Sequence, residues 1–394
     1  MTSRRKLGEV LTQVSRPVAV ADLDSVPYAG VRWYAGGVYE RDVVDASSVK
    51  GKTLSRIHAG DVVYNRMWAT KASFGVAGQD VDGCLVTNDF PSFVTTTGEA
   101  LDRYIGLLFH DKAFQERASA RATGTTERRR LKEPDFLDIE VYLPTLPEQK
   151  RIVDLIGALD EAIEAAEENE ALATDARVAM AARSFALLTA VATAPLSEVA
   201  ETRLGKMLSA NVNKGTPAFY VRNADVQWNS INLTGLKSMP FSDVDRGEYS
   251  IKRGDVLICE GGEIGRSAVV LHDLDSIFFQ KAIHRVRCGD TLLPEFLQAY
   301  MHHLALSGGL ENFSGGTTIP HLTGVNLRQL PIPVVQIADQ RALVTILDAL
   351  NSNSSSLNTY AASLRTLRTN LLTALLSGTH EIPASYDDLI SEAV

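Results

Sequence analysis

An α+β fold is predicted, with two similar mixed α/β globular units and a long two-helix coiled coil. Three observations predict it. A long amphipathic stretch runs from Leu146 to Ala190, a second lies near the C-terminus, and a set of landmarks recurs between 189 and 194 residues further along the chain.

In the first stretch Ile152, Ile156, Leu159, Ile163 and Ala166 follow a four-three step, the apolar seam of a helix that needs a partner helix. Thr145 and Glu148 have the spacing of a capping box, and Pro147 sits where a missing N–H costs nothing. At about 1.5 Å per residue, some forty residues make a rod of roughly 60 Å, longer than one face of a compact domain. The second stretch, Ile337 to Gly378, offers the partner. Aligning Gln149 with Gln340 places Ile152 with Leu343, Val153 with Val344, Ile156 with Leu347 and Leu159 with Leu350. Ala166 then falls with Leu357 and Ala173 with Leu364, while Ser354 takes the place of Ile163 and weakens the second seam. Gly378 is the expected C-cap. Two unrelated surface helices are the alternative, because Leu and Ala at helical spacing are common.

The globular segments repeat a plan. Leu7-Gly8-Glu9-Val10 is matched by Leu196-Ser197-Glu198-Val199, and Gly60-Asp61-Val62-Val63 by Gly254-Asp255-Val256-Leu257. Each Gly-Asp reads as a turn feeding an apolar strand. Thr125-Thr126 corresponds to Thr317-Thr318, and Leu131–Pro144 to Leu322–Val334, each running into its long helix. Residues 1–145 and 193–335 are thus two versions of one unit, 146–192 and 336–378 the two helices, and 379–394 a tail with a short amphipathic piece, Tyr386–Val394. Strands are expected at Val62–Tyr64, Cys84–Thr87, Phe93–Thr95, Tyr220–Val221, Val256–Cys259, Ala268–Leu271 and Ala282–Val286. Helices are expected at Leu101–Arg117 and Pro294–Leu306, with Asp102 and Glu295 near their positive N-termini.

The 394 residues carry a net charge of −9, unpromising for a partner of nucleic acid until the chain is divided. Residues 1–145 are neutral, 146–195 carry −5, 196–335 carry −1 and 336–394 carry −3. The acidity sits mainly on the helical segments, so a balanced globular unit remains free to present a basic face. Cys84, Cys259 and Cys288 lack CxxC spacing, which argues against disulfides and zinc. No run of eighteen apolar residues occurs, and MTSRRKLGEV lacks the core of a signal peptide, so a soluble cytoplasmic protein is expected.

Catalytic constellations are missing from the sequence. Gly261–Ser267 is one residue short of a phosphate loop and has arginine in place of its lysine, so a turn between strands is expected. His302-His303 lack neighbouring ligands, Asp255 and Glu260 lack a nuclease lysine, and the Asn-Pro-Pro-aromatic signature of amino-methyltransferases is absent. What remains is a binding surface. Arg128, Arg129, Arg130 and Lys132 concentrate positive charge after Thr123–Thr126, and Arg32, Trp33, Tyr34, Arg66, Trp68 and Lys71 mix cations with aromatics. Lys206, Lys214, Arg222, Asn223, Trp228, Arg266, Gln280 and Lys281 form a comparable set in the second unit. Arg, Lys, Asn and Gln are the side chains that read base edges. Each alone is more often a solvated or salt-bridged group, the triple arginine could pair with helix acids, and only the repeated setting favours binding.

Over nearly its whole length the chain resembles the specificity subunit of type I restriction–modification systems. The resemblance rests on Leu146-Pro147-Glu148-Gln149, its counterpart Ala338-Asp339-Gln340, GDVLICEGGEIGRSAVV at Gly254–Val270, and Gly315–Ile319 leading into Leu330-Pro331-Ile332-Pro333. Asp339 departs from the family's usual glutamate. The resemblance implies two target-recognition domains, each reading half of a bipartite asymmetric DNA site, held apart by an antiparallel coiled coil about a pseudo-two-fold axis. It implies as partners two modification subunits, which bind S-adenosylmethionine and methylate adenine, and in the full complex two restriction (motor/nuclease) subunits. This chain would supply neither a cofactor site nor catalysis, and the outer helix surfaces would be left to protein partners. A scaffold that joins proteins through its coiled coil without touching DNA is the alternative.

Overall fold

The computed structural model describes residues 3–124, 129–207, 215–313 and 321–387. Two compact units divide the chain: Met1–Ala166 with Tyr360–Val394, and Glu167–Thr359. Both long helices form, Leu146–Leu187 with 42 residues and Ile337–Ser377 with 41, and each contributes one part to either unit. Gly378 stops the second, with φ +74° and a position so close to the Tyr142 ring that a Cβ would lie 2.7 Å from it. No capping-box bond between Thr145 and Glu148 is found at the start of the first, where Glu148 is buried with its Oε1 unpartnered.

In the first unit a four-stranded antiparallel sheet has the order Leu11–Val14, Ser92–Thr95, Val62–Tyr64, Phe74–Val76. In the second, Ala200–Leu204, Ile283–Cys288, Asp255–Cys259 and Ser267–Val269 take the same order. Each turn into the third strand is alike. Gly60 and Gly254 adopt φ +88° and +85°, and their N–H groups donate at 2.8 Å to Ala77 O and Val270 O respectively. The buried carboxylates that follow are both chelated by arginine: Asp61 by Arg16 at 2.6 and 3.1 Å, and Asp255 by Arg287 at 2.8 Å twice.

A second sheet carries the divergence. In the first unit it has five strands, in the order Pro17–Ala19, Thr53–Arg56, Leu85–Val86, Ser25–Val31, Val38–Asp45. In the second it has three, Lys237–Phe241, Thr216–Val221 and Ile277–Phe279. Each contains one parallel pair, Ser25–Val31 with Leu85–Val86 and Thr216–Val221 with Ile277–Phe279. Two-stranded ribbons, Ser3–Lys6 with Glu140–Leu143 and Thr193–Pro195 with Pro331–Pro333, lead toward the long helices.

The expected helix Leu101–Arg117 is instead two helices, Asp102–Leu108 and Lys112–Arg121. Asp111 breaks it, its carboxylate accepting from the N–H groups of Ala113 and Phe114 as an N-cap. Pro294–Leu306 forms as expected, and Gly261–Arg266 is a turn between antiparallel strands. The tail docks on the first unit, where Ile382 enters the core and Asp387 is chelated by Arg151 at 2.7 and 2.9 Å. Residues 388–394, including most of the expected amphipathic piece, lie outside the described residues.

Cores differ in chemistry. The first gathers Tyr64, Phe74, Phe93, Phe109, Phe114 and Phe136 with Tyr64 and Phe136 rings 4.6 Å apart. The second is mainly aliphatic, around Val256, Ile258, Leu297, Met301, Leu327 and Leu330, with Phe185 and Phe296 as its buried rings. Helix pairing is antiparallel in each unit. Ile152 and Ile156 pack with Leu372, Leu375 and Leu376 in the first, and Ala181 and Phe185 with Leu347 in the second. Ile152 and Leu343 are therefore counterparts in the repeat rather than packing partners.

Each long helix is joined to its sheet by a buried glutamine. Gln149 Oε1 accepts from Leu101 N–H at 2.9 Å, and its Nε2 donates to Glu99 O at 3.0 Å and Pro144 O at 2.9 Å. Gln340 repeats this with Leu293 N–H at 2.8 Å, Thr291 O at 2.9 Å and Val335 O at 2.8 Å. Both are almost wholly buried, so all three bonds replace lost hydration.

His302 and His303 diverge. His302 stacks on Trp228 with centroids 4.2 Å apart, and His303 on Phe185 at 5.1 Å. Burial, reinforced by the Arg177 charge, depresses His302 to about 4.

Two measurements follow from this architecture. Gln149→Ala and Gln340→Ala should each cost about 3 kcal/mol in urea unfolding, since a buried donor and two carbonyls lose their partner; a loss below about 1 kcal/mol would mean that water satisfies them. His302 titrates lower folded than unfolded, so its stabilising contribution is full above about 6.5 and declines as pH falls toward 4. His302→Phe should lessen the acid sensitivity of stability across that window, and an unchanged profile would contradict it.

Candidate nucleic-acid interface

In the first unit two connections leave neighbouring sheets and meet. Arg32–Gly37 follows strand Ser25–Val31, and Asn65–Ser73 links Val62–Tyr64 to Phe74–Val76. Tyr34 N–H donates to Lys71 O at 2.8 Å and Ala35 N–H to Ala72 O at 2.7 Å. The Trp33 and Trp68 rings lie 5.2 Å apart, tilted by 47°. Tyr34, Ala35 and Ala72 all adopt left-handed backbone, at φ +58°, +56° and +52°. Such conformations cost on the order of 1 kcal/mol or more each, and the surrounding packing holds them. The result is a fixed, exposed aromatic platform, with Trp33 46% and Tyr34 69% accessible. Arg32 lies over the Tyr39 ring at 4.3 Å, and among the described residues neither Arg32 nor Lys71 has an ion-pair partner.

Arg66 lies in the same connection, and Arg130 reaches it through a shared partner, Asp89. Arg66 pairs with Glu133, its N–H donates to Asp89 O at 2.9 Å, and its carbonyl accepts from Leu131 N–H at 3.0 Å. Arg130 pairs with Asp89 at 3.1 Å, and Arg129 donates to Ser119 Oγ at 3.3 Å. Lys132, exposed, precedes the short helix Glu133–Leu137. Arg129 and Arg130 thus find partners within the globular part instead of helix acids. Arg128, with Thr125 and Thr126, lies outside the described residues.

In the second unit Arg222, Asn223, Trp228 and Arg266 gather around the Glu260–Arg266 turn, bonded largely to one another and to acids. Arg222 chelates Asp225, Asn223 Nδ2 donates to Gly261 O at 2.9 Å, and Arg266 Nη2 donates to Asn223 O at 3.0 Å. Trp228 Nε1 donates to Glu263, which also lies 3.5 Å from Arg266. Lys206 departs from its expected role as a surface cation. It is 9% exposed, its ammonium 2.5 Å from Asp245 and 5.5 Å from the Phe241 ring centre. Burial works against Asp245's charge, but hydrogen bonds from Lys206 and Ser242 outweigh it and hold the carboxyl at about 2.

Lys281 is exposed and without an ion pair among the described residues, next to Gln280 and to Ala282 at φ +82°. Lys281, Glu260, His321 and Thr323 line an open cavity of about 600 Å³. His321 carried no signal in the sequence, being a lone histidine far along the chain from the residues it meets. Lys214, Thr317 and Thr318, with all of Gly315–Ile319, lie outside the described residues. Among the described residues no group of three His, Cys, Asp or Glu side chains could hold a metal, and no helix is long and apolar enough to cross a membrane.

The fold has counterparts among known proteins. The family model for the type I restriction modification DNA specificity domain matches twice, over residues 5–173 and 190–363. No curated protein matches the sequence. Among solved structures, one from a study of assembly and conformational transition of the type I R-M system aligns with TM-score 0.64 and 17% identity, covering 95% of this chain and 97% of that one. The HsdS subunit from Thermoanaerobacter tengcongensis gives 0.58 and 18%, covering 96% and 97%. The type I restriction–modification S subunit from M. genitalium gives 0.52 and 15%, covering 95% and 96%. At these identities the structures speak for the fold, and the doubled family match speaks for the family. The chain belongs to the type I restriction–modification DNA specificity family.

Proposed function

We propose that this protein reads a bipartite, asymmetric DNA site, one half with each globular unit, and positions two modification subunits on it. Those subunits would bind S-adenosylmethionine and methylate adenine, restriction (motor/nuclease) subunits would join them in the full complex, and this chain would do no chemistry. The observation that carries the proposal is a shared frame bearing unlike surfaces. Strand order, Gly-Asp turn and glutamine junction repeat, whereas the second sheets and the exposed side chains do not.

In the first unit Arg32, Lys71 and Lys132 supply cations to phosphate or base edges, and Arg128, Arg129 and Arg130 add to that charge. Trp33 and Tyr34 offer apolar edges to the bases. Arg66 and Arg130, each tied to an acid, keep that surface in shape. In the second unit Lys281 and Lys214 are the cations, while Arg222, Asn223, Trp228 and Arg266 present a preformed network whose remaining donors face the DNA. Lys206 supports this surface from beneath. The target-recognition domains of this reading are residues 1–145 and 193–335, with 146–192 and 336–378 as spacers. A pure protein scaffold is disfavoured by the family.

Salt separates the two. Duplex binding by the assembled complex should weaken steeply between about 50 and 200 mM salt, whereas a scaffold shows no duplex binding at any salt. Replacing Arg32 and Lys71 together by alanine should reduce the log–log salt slope by about 2 if both touch phosphate. Replacing Arg128, Arg129 and Arg130 should impair recognition of one half-site more than the other, measured by methylation of duplexes altered in either half. Equal loss at both would mean that the arginines serve only generic phosphate attraction.

A further inference from the structure

The repeat places one arginine in each unit at equivalent positions with different fates. Arg368 in the first unit is chelated by Asp160 across the helix pair. Arg177 and Asn351 occupy the corresponding positions in the second, at the offset that relates Gln149 to Gln340. His302, beside Arg177, stands within one residue of the counterpart of His110, which feels the charge of Arg368. The carboxylate of the first unit is thus an amide in the second.

Arg177 consequently lacks its acid. Among the described residues it donates only to His302 Nδ1, at 3.3 Å, and no carboxylate pairs with it. It lines a cavity of about 260 Å³ together with Asn351, Asp348 and Glu295. A half-buried guanidinium that gives up water without gaining a counter-charge is costly, and its charge awaits a partner. We infer that Arg177 is the docking point for a carboxylate side chain of a protein partner, which under the reading above is a modification subunit. The inference rests on that reading.

The first unit shows which group completes such a position, a carboxylate held bidentately. Asp348 and Glu295 line the same cavity out of ion-pair contact with Arg177, and Glu295 adds to the burial that raises Asp348. The partner segment therefore places a basic group on their side and its acid on Arg177, an arrangement that adjacent turns of one helix provide. Docking of this kind differs between the units, because the first satisfies its own arginine. A partner could then distinguish two positions of an otherwise repeated frame.

The test uses the full chain and purified modification subunit, titrated and followed by sedimentation, with Tm measured for each variant. Asn351→Asp installs the first unit's acid beside Arg177 and should weaken assembly by about 10-fold or more while leaving Tm unchanged or raised. Arg177→Gln should weaken assembly similarly. If Asn351→Asp lowers Tm, the Arg177→Gln titration decides by the same criterion. Wild-type assembly with no loss in either variant overturns the inference and leaves the proposed function standing. Failure of the wild-type chain to assemble overturns both.

Discussion

A single buried glutamine at the start of each long helix is the constraint on which the structure depends. Gln149 and Gln340 each hold the N–H that opens the helix behind a sheet and two carbonyls of flanking turns. An amide is suited to this because it accepts at one end and donates twice at the other, satisfying three buried backbone groups with one side chain. Glutamate would lose both donated bonds and bury a charge. Through these junctions the orientation of a globular core is fixed relative to the helix segment in its own unit, which turns a stiff rod into a mount.

The mount is maintained while the mounted surfaces change. Asp61 and Asp255 accept arginines from non-equivalent places, Arg16 between two strands and Arg287 within one, so the same buried charge is neutralised by different means. One core is built on a cluster of aromatic rings and the other is mainly aliphatic, yet the strand order over them is identical. Core composition is thus interchangeable as long as volume and patterning are preserved. The surface is freer still, since exposed side chains carry little of the folding free energy. A protein that must recognise two unlike sequences from one frame needs this separation of duties.

The frame was legible because its signals are local. Four-three spacing, Pro147, Gly378 and the paired Gly-Asp turns each act within a few residues, and repetition doubled their weight. The reading failed where a local signal was passed over or a distant partner decided. Asp111 is an ordinary N-cap that divides Leu101–Arg117, whereas Glu148 has capping-box spacing yet is drawn into the interior. The candidate site was legible as a composition and not as a geometry. Lys206 finds Asp245 and Arg66 finds Glu133 across long sequence separations, and no periodicity announces either pair. The approach of Trp33 to Trp68 depends on two backbone bonds between connections of different sheets.

The central claim is that one repeated frame carries two different reading surfaces for DNA. Methylome sequencing of the host with and without this chain tests it most directly. The account predicts that the chain's removal abolishes methylation at a single motif of two unlike specific halves separated by unread bases. An unchanged methylome, or the loss of a motif whose halves are the same, would contradict it.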